Sequence, residues 1–175
     1  SSAREHILTQ TFKKSSCCVN IVNIATHINP GIKSLSENIV QIPFQDHRAI
    51  QNYAKKHSIH FAWIGPESAL EAGVADALWH INIPVIGPTK ALAQLETSKG
   101  FTRVLQAKYK LPGALNFQYF KNLTGVKKYL KTLSGNYVIK ADGLMAGKGV
   151  KLSDEHLASD KEALEYCQNL LDVGQ

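Results

Sequence analysis

The sequence predicts an α/β fold in which a parallel-sheet domain is followed by a smaller α+β domain. Candidate strands and helices alternate over the first half of the chain, which is typical of a parallel sheet covered by helices. Residues 61–64 form a continuous apolar run, as expected for a strand buried on both faces. After about residue 112 the order becomes strand, helix, strand, strand and helix, which predicts a second unit.

The elements of the first half follow from composition and capping residues. Strands are predicted at residues 17–25, 38–42, 61–64 and 83–86. Helices are predicted at residues 4–14, 46–57 and from residue 66 past Leu78, with Ser1, Ser2 and Asp46 as candidate N-caps. A doubly wound sheet normally opens with a strand, so one strand is expected to be missing before the first helix.

The ends of the predicted strands are the expected ligand-binding edge of this domain. Ligands of open α/β sheets bind outside the carboxyl ends of the strands. Here those ends are the turns at residues 29–31, 65–67 and 87–89. The sequence therefore predicts a site built from these turns.

The second half begins with a long helical segment. Residues 89–109 are predicted to be helical with an interruption near residues 97–100, and residues 117–120 are predicted to be a strand. A helix capped by Asn122, strands on either side of a glycine-rich loop, and a last helix with the capping box Ser159 and Glu162 complete the unit.

The glycine-rich loop is the most informative stretch. It starts at Lys140, contains Gly143, Gly147, Lys148 and Gly149, and ends where an extended pattern resumes. Glycines allow a close backbone approach to a ligand, successive N–H groups bind anions, and lysine suits phosphate. The spacing differs from that of a Walker A loop. A plain hairpin tip, with glycines for the turn and lysines for solubility, explains the same pattern, so both interpretations stay open.

Composition restricts the class of function. The formal charge of +6 favours anionic partners, but the basic residues are scattered and form no aromatic-interleaved stripe, so nucleic acid is not an expected partner. Cys17, Cys18 and Cys167 have neither metal-binding nor disulfide-framework spacing, and they suit a reducing cytosol; the adjacent pair is expected to be buried in a strand. The seven histidines lack metal-ligand spacing. No membrane span or signal sequence is predicted.

Four motifs, in this order, resemble those of one enzyme family. They lie at residues 65–70, 87–91, 94–99 and 140–150, and the segment at residues 4–6 adds to them. The chain is similar along its whole length to the phosphoribosylamine–glycine ligases, which are ATP-grasp enzymes of purine biosynthesis. The resemblance implies a Rossmann-like, pre-ATP-grasp domain at residues 1–88, a helical linker at residues 89–112 and a small ATP-grasp lid domain at residues 113–175.

The resemblance also implies site residues and partners. Lys99 and Lys140 would be the catalytic lysines directed at the phosphates of ATP, and the loop with Gly143, Gly147, Lys148 and Gly149 would cover them. The implied substrates are ATP, glycine and 5-phosphoribosylamine, with Mg²⁺ or Mn²⁺ as cofactor, in a cytoplasmic enzyme that is expected to be a monomer. The residues implied on the substrate side are Arg4, Glu5, Pro30, Gly31, Gly65, Pro66 and Glu67.

The sequence departs from the family pattern at several places. Ser1 and Ser2 stand where the family has glycines, and residues 32–34 replace its Asn-Ala-Gly, which leaves the substrate contacts there open. The family's adenine-binding hinge and its metal-binding residues would lie beyond Gln175, so we expect no metal site in this chain and a fragment that is inactive by itself. The alternatives are another ATP-grasp carboxylate–amine ligase and a non-catalytic nucleotide-binding protein.

Overall fold

Two structural units divide the chain, and the computed structural model describes residues 2–17, 20–145 and 147–174. The first unit comprises Ser1–Gln94 and the second Leu95–Gln175. Both mix helices with short strands, so the predicted α/β class is confirmed at that level. In the described part of the chain, no helix combines the length and the apolar character that crossing a membrane requires.

The first unit alternates helices and parallel strands. Its elements are α1 (Ala3–Lys14), β1 (Val22–Ala25), α2 (Pro30–Leu35), β2 (Asn38–Gln41), α3 (His47–Lys56), β3 (Ala62–Trp63), α4 (Glu67–Ala72), α5 (Val74–Trp79) and β4 (Val85–Ile86). Helix α6 (Lys90–Thr97) spans the boundary of the two units.

Helix α1 begins where the sequence predicts, because its first turn is capped. The Ser2 hydroxyl accepts a hydrogen bond from Arg4 N–H at 3.3 Å, and the Glu5 carboxylate accepts one from Ser2 N–H. This reciprocal pair is a capping box, which satisfies two N–H groups that the first turn leaves without partners. Ser1, the other candidate cap, lies outside the described residues.

The strands are shorter than predicted and form two pairs in place of one continuous sheet. β1 pairs with β2 and β3 with β4, both in parallel. In the predicted strand at residues 17–25, only Val22–Ala25 is extended; Cys17 lies in an exposed turn, which corrects its expected burial, and Cys18 falls outside the described residues. Phe61 and Trp63 are 46% and 45% exposed, so the strand predicted to be buried on both faces is open on one side.

Two helical segments differ from the sequence prediction. Residues 30–35 form α2, where a turn is expected, because the Asn29 carboxamide accepts hydrogen bonds from Gly31 and Ile32 N–H and Pro30 suits the first helical position. The helix predicted from residue 66 is divided into α4 and α5 at Gly73, whose φ of +87° is a left-handed conformation that favours glycine.

The core of the first unit is packed between helices and strands. Ile50 is completely buried on α3, and the strands contribute Val85. Burial of such aliphatic side chains is the main favourable contribution to folding. The buried cluster consists of Ile42, Ile50, Ala54, Ala69, Val74, Ala75, Leu78, Ile83 and Val85.

The second unit is a helical segment followed by a hairpin and two further helices. Its elements are α7 (Lys99–Lys108), α8 (Val126–Thr132), β5 (Val138–Lys140), β6 (Val150–Leu152) and α9 (Asp160–Asp172). β5 and β6 are antiparallel, and Lys140 is opposite Val150. Val126, Leu130, Leu157 and Ala163 form the buried core.

Three details of the second unit correct the prediction. Residues 117–120 are not a strand. Helix α8 starts after Gly125, and Asn122 instead accepts a hydrogen bond from Thr124 N–H in the preceding turn. Ser159 caps α9 by accepting from Glu162 N–H at 3.3 Å, but the Glu162 carboxylate accepts from Ala158 N–H, one residue before the cap.

Candidate functional site

The β5–β6 hairpin presents the glycine-rich loop immediately after Lys140. Ala141 N–H donates to Gly149 C=O at 2.7 Å, which closes the base of the loop. Gly149 is buried there, and a Cβ at that position would lie 2.8 Å from Ala141 Cβ and 2.8 Å from Met145 Cγ. Glycine is therefore required by close packing at this position. Lys140, the last residue of β5, is exposed beside the loop.

Asp142 connects this loop to the start of α7. One carboxylate oxygen accepts a hydrogen bond from Ser98 Oγ–H at 3.0 Å, and the other accepts from Gly100 N–H and from Gly143 N–H, both at 3.1 Å. Ser98 Oγ also accepts from Phe101 N–H at 3.0 Å, so the same hydroxyl caps α7. Segments 42 to 44 residues apart in the chain are thus held by one carboxylate.

Lys99 contacts the glycine-rich loop directly. Its ammonium donates to Gly143 C=O at 2.6 Å. Lys99 is the first residue of α7, and the Asp142 hydrogen bonds to its two neighbours, Ser98 and Gly100, fix the backbone on either side of it. Hydrogen bonds of two neighbouring residues therefore hold the backbone of this lysine, and Gly143 C=O holds its ammonium.

The Asp142 carboxyl is stabilised in its charged form. Burial raises the pKa of Asp142, but the hydrogen bonds from Gly100 N–H, Ser98 Oγ–H and Gly143 N–H outweigh that effect and hold the pKa below its ordinary value. Asp142 is thus a carboxylate at neutral pH and accepts all three hydrogen bonds.

The predicted phosphate-binding residues are brought together to different degrees. Lys99 and Gly143 are in contact, and Lys140 is two residues from Asp142 in the chain. Lys148 and Gly147 are exposed farther along the loop, where Lys148 N–H donates to Met145 C=O at 2.9 Å. Gly147 has a φ of +80°, which fits a turn, and Ala146 lies outside the described residues.

The substrate-side residues predicted in the first unit meet at the start of α1. The Arg4 guanidinium donates to both carboxylate oxygens of Glu67, at 2.7 and 2.9 Å. This pair connects α1 to the turn after β3. The hydrogen bonds from Arg4 lower the pKa of Glu67 from 4.5 to about 2. Since the Arg4 side chain is 64% exposed, water screens the attraction and the pair adds little stability.

Close contacts bring two of the three predicted strand-end turns against α1, while Gly87 of the third turn faces Leu70 and Ile64. A Cβ at Gly65 would lie 2.6 Å from Glu5 Cγ, and one at Gly31 would lie 2.3 Å from the His6 ring. Both glycines are therefore needed for the approach of the helix. Pro66 is the residue before α4, and Pro30 is the first residue of α2. Each proline therefore lies where its turn ends and a helix begins.

Sequence reasoning missed Asp142, Ser98 and His6 as members of these clusters. The available signal for Asp142 was its place between Lys140 and Gly143, since a short carboxylate inside a glycine-rich loop can accept backbone N–H groups. Nothing local in the sequence predicts that its partners are Ser98 and Gly100. His6 is one of the seven histidines without metal-ligand spacing, and its packing on Gly31 depends on the tertiary fold.

The metal ion implied by the family resemblance has no ligand cluster in the described ranges. There, no group of three or more His, Cys, Asp and Glu side chains is arranged so that it could hold a metal ion. Asp142, which lies in the glycine-rich loop, already accepts three hydrogen bonds. We therefore assign no metal-binding role to these residues.

Comparison with solved structures supports the architecture. The chain superposes on N5-carboxyaminoimidazole synthetase from Staphylococcus aureus, solved as a complex with ADP, with a TM-score of 0.67 over 97% of this chain and 42% of that one. The sequences are 16% identical, so this similarity concerns the fold alone. The chain therefore shares its α/β fold with part of that synthetase.

Comparison with sequences identifies closer relatives. The chain is 35% identical over 171 residues to the phosphoribosylamine–glycine ligase of Methanosarcina barkeri. It is 38% identical over 174 residues to that of Methanococcus maripaludis and 34% identical over 168 residues to that of Pyrococcus furiosus. These alignments cover 96–98% of this chain but only 38–39% of each relative.

Family models match both parts of the chain. The model of the phosphoribosylglycinamide synthetase N domain matches residues 1–96, and that of the ATP-grasp (A) domain of the same synthetase matches residues 97–175. The first alone covers more than half of the chain. Arg4, Glu67 and the turns of the substrate side fall in the first match, and Lys99, Lys140 and Asp142 fall in the second. The chain belongs to the phosphoribosylglycinamide synthetase family.

Proposed function

We propose that the protein containing this chain ligates glycine to 5-phosphoribosylamine at the expense of ATP, giving glycinamide ribonucleotide, ADP and phosphate. The main support is the family membership of both units, together with the relatives that are named phosphoribosylamine–glycine ligases. The chain spans about two fifths of the length of these relatives, so the proposal concerns the complete protein.

The proposed reaction has two balanced steps. A carboxylate oxygen of glycine attacks the γ-phosphorus of ATP, the bond from that phosphorus to the β–γ bridging oxygen breaks, and glycyl phosphate and ADP form. The amine of phosphoribosylamine then attacks the glycyl carbonyl carbon, phosphate leaves, and the amine loses a proton as the amide forms. Phosphoryl transfer depends mainly on positioning and on neutralising charge.

Lys99 and Lys140 are proposed to neutralise the charge of the transferring phosphate. Both are lysines at the edge of the glycine-rich loop, one on α7 and one at the end of β5. We propose that Gly143, Gly147, Lys148 and Gly149 bind the nucleotide through loop N–H groups and the Lys148 ammonium. The loop would also exclude water from glycyl phosphate, which otherwise hydrolyses.

Asp142 is proposed to position this phosphate-binding group. It holds the backbone on both sides of Lys99 and also the first glycine of the loop. A lysine side chain is flexible, so fixing it at a phosphate costs conformational entropy. If the backbone that carries the lysine is already rigid, binding does not have to order the main chain as well. Asp142 does not contact substrate in this proposal.

The cluster at the start of α1 is proposed to bind phosphoribosylamine. Arg4, Glu5, Gly65, Pro66 and Glu67 lie at the carboxyl end of β3, which is where open α/β sheets bind ligands. Pro30 and Gly31, after β1, are proposed to form the adjoining side of the same site. Residues 89–112 are proposed as the linker and residues 113–175 as the lid domain of the ATP-grasp enzyme.

ADP release by the complete protein tests this proposal. With ATP, Mg²⁺ and phosphoribosylamine supplied, release is expected only when glycine is also present. Release with a different carboxylate or amine would retain ATP-grasp chemistry and overturn the substrate assignment. ATP binding without any turnover would contradict the ligase proposal and favour a non-catalytic nucleotide-binding protein.

A further inference from the structure

Asp142 and Gly143 form the one Asp-Gly pair of the chain, which contains no Asn-Gly pair. An aspartate followed by glycine is the sequence in which a backbone nitrogen most readily attacks the preceding side chain. The reason is that glycine has no Cβ to hinder the approach. We call residues 142–143 the Asp-Gly step, and it lies in the glycine-rich loop.

The fold accounts for both residues of the Asp-Gly step. Asp142 is the acceptor that joins the loop to Ser98 and Gly100 at the start of α7. Gly143 has a φ of +87°, a left-handed conformation that favours glycine. A chemically labile pair is therefore present because each of its two residues has a separate structural role.

The groups that would react already lie next to each other. The Gly143 nitrogen is 3.1 Å from Asp142 Oδ1, to which it donates a hydrogen bond. A rotation of the Asp142 side chain would bring the carboxyl carbon that carries Oδ1 within reach of that nitrogen. Both residues are half-buried and follow the exposed Lys140 closely in the chain, so water can reach them.

Two contacts from the start of α7 restrain this reaction. Ser98 Oγ–H donates to Asp142 Oδ2 at 3.0 Å and Gly100 N–H donates to Oδ1 at 3.1 Å, so a rotation of the carboxylate would break both. Attack also requires the protonated carboxyl, from which an oxygen can leave as water. Burial raises the pKa of Asp142, but its hydrogen bonds outweigh burial and hold the pKa below its ordinary value. The contacts therefore oppose both the rotation and the protonation.

We propose that the Asp-Gly step is a succinimide and isoaspartate modification site, which the hydrogen bonds from Ser98 and Gly100 keep latent in the folded chain. In the first step the Gly143 nitrogen forms a bond to Asp142 Cγ, and the carboxyl hydroxyl leaves with the N–H proton as water. Water then opens the succinimide. Cleavage between the nitrogen and the main-chain carbonyl carbon of Asp142 gives isoaspartate, and cleavage between the nitrogen and Cγ restores aspartate.

Isoaspartate would undo the link between the loop and α7. The main chain would then run through Cβ and Cγ of residue 142, which makes it one atom longer, and the free carboxylate would be attached directly to Cα. The acceptor of the Ser98 and Gly100 hydrogen bonds would move. Gly143 C=O, which accepts from the Lys99 ammonium, would move with it.

The rate of isoaspartate formation in the folded and the unfolded chain tests the proposal. Samples are incubated at mildly acidic pH with and without urea and labelled with an isoaspartyl methyltransferase, and the labelled peptide is identified by mass spectrometry. At residue 142, the folded wild type is expected to react at least about 10-fold more slowly than the unfolded chain, because reaction requires local opening. This comparison needs no variant.

Three variants assign the protection to the proposed contacts. Ser98→Ala should accelerate the reaction of the folded chain about fivefold, the effect of one lost hydrogen bond. Ser159→Ala is the matched control: it removes the cap of α9 in the same unit but leaves the Ser98 contact, so the rate should not change. Asp142→Glu would have to form a larger ring and should give no labelled product at residue 142, even when unfolded. Far-ultraviolet circular dichroism verifies that the variants are folded.

Three outcomes would overturn the proposal. Equal rates in the folded and unfolded wild type would mean that the contacts give no protection. Equal acceleration by Ser98→Ala and Ser159→Ala would assign the effect to a general loosening of the second unit. Absence of isoaspartate at residue 142 in the unfolded wild type would mean that the Asp-Gly step is not a modification site.

Discussion

The two proposed ligand-binding clusters are held together in different ways. Around Lys99, the half-buried Asp142 carboxylate accepts two hydrogen bonds from residues distant in sequence and one from the next residue, so the lysine is fixed through its backbone. At the start of α1, Arg4 and Glu67 hold each other through an exposed side-chain pair, and the backbone is fixed mainly by glycines that permit close packing. Removing one group should therefore have a larger effect in the first cluster.

The contrast between the two clusters indicates where the side chains need to be placed accurately. Transfer of a phosphoryl group depends on cations placed within a fraction of an ångström, and backbone anchors provide that accuracy. Recognition of a substrate at the carboxyl ends of strands depends first on the shape of the binding site. Glycine and proline determine that shape through the backbone conformation. The experiments below test this contrast from its largest expected effect to its smallest.

Removal of a lysine that is proposed to face the phosphates is the strongest test. In the complete protein, Lys140→Ala is expected to lower kcat/KM for ATP by roughly 100-fold, because a cation that stabilises transferring charge is lost. Lys127→Ala, on the exposed part of α8, is the matched control and should leave kinetics unchanged. Steady-state kinetics measure both. Unchanged ATP kinetics in the Lys140 variant would refute its phosphate role and favour the plain hairpin.

Neutralising the anchor should have the next largest effect. Asp142→Asn weakens acceptance from Ser98, Gly100 and Gly143, and the loss of charge-assisted bonds is expected to raise KM for ATP roughly 10-fold, with kcat less affected. Asp154→Asn provides the control, because Asp154 has a φ of +64° in an exposed turn, a conformation that Asn also adopts. A parallel fall in kcat and stability, with KM unchanged, would make Asp142 merely structural.

Crowding the base of the glycine-rich loop should reduce stability. Gly149→Ala places a Cβ 2.8 Å from Ala141 Cβ, and overpacking of this kind costs about 1–3 kcal/mol of the free energy of unfolding. Gly147→Ala is the comparison within the same loop: it meets no atom within 4 Å and has only the strain of its φ of +80°, about 1 kcal/mol. Denaturant unfolding measures both, and an equal loss would argue against the steric cause.

The exposed ion pair should give the smallest effect, and one that depends on pH. Arg4 lowers the pKa of Glu67 to about 2 in the folded protein, from 4.5, so the pair contributes stability above pH 4.5 and loses it as pH falls toward 2. Solvent screening limits the contribution to about 1 kcal/mol or less. The difference in unfolding free energy between the wild type and Glu67→Gln should therefore shrink over that range; a constant difference would exclude the ion pair as its source.

Capping and turn chemistry made the helices predictable from the sequence. Ser2, Asp46 and Ser159 each cap the helix that follows them, because these contacts involve residues only two or three positions apart. The break between α6 and α7 and the hairpin around the glycine-rich loop also match the prediction. Local hydrogen bonds decide such features, and they are encoded in neighbouring residues.

Strand length and the anchoring network could not be predicted in this way. Strands at residues 17–25 and 61–64 are shorter than their apolar runs, because pairing with a neighbouring strand decides how far the extended conformation continues. Residues 117–120 have strand composition without a partner strand. The contacts of Asp142 join residues more than 40 positions apart, and their pairing depends on the tertiary fold.

Under the proposed role of Lys99, the contact between its ammonium and the Gly143 carbonyl would couple phosphate binding to the glycine-rich loop. An ammonium has three N–H donors, and one of them is directed at the loop backbone. A nucleotide phosphate that accepted hydrogen bonds from the other two N–H groups would share this ammonium with the loop. Nucleotide binding and the conformation of the loop would then be coupled in one equilibrium. In the proposed reaction, loss of the terminal phosphate after transfer would weaken the same link, so this one lysine would register completion of the first step.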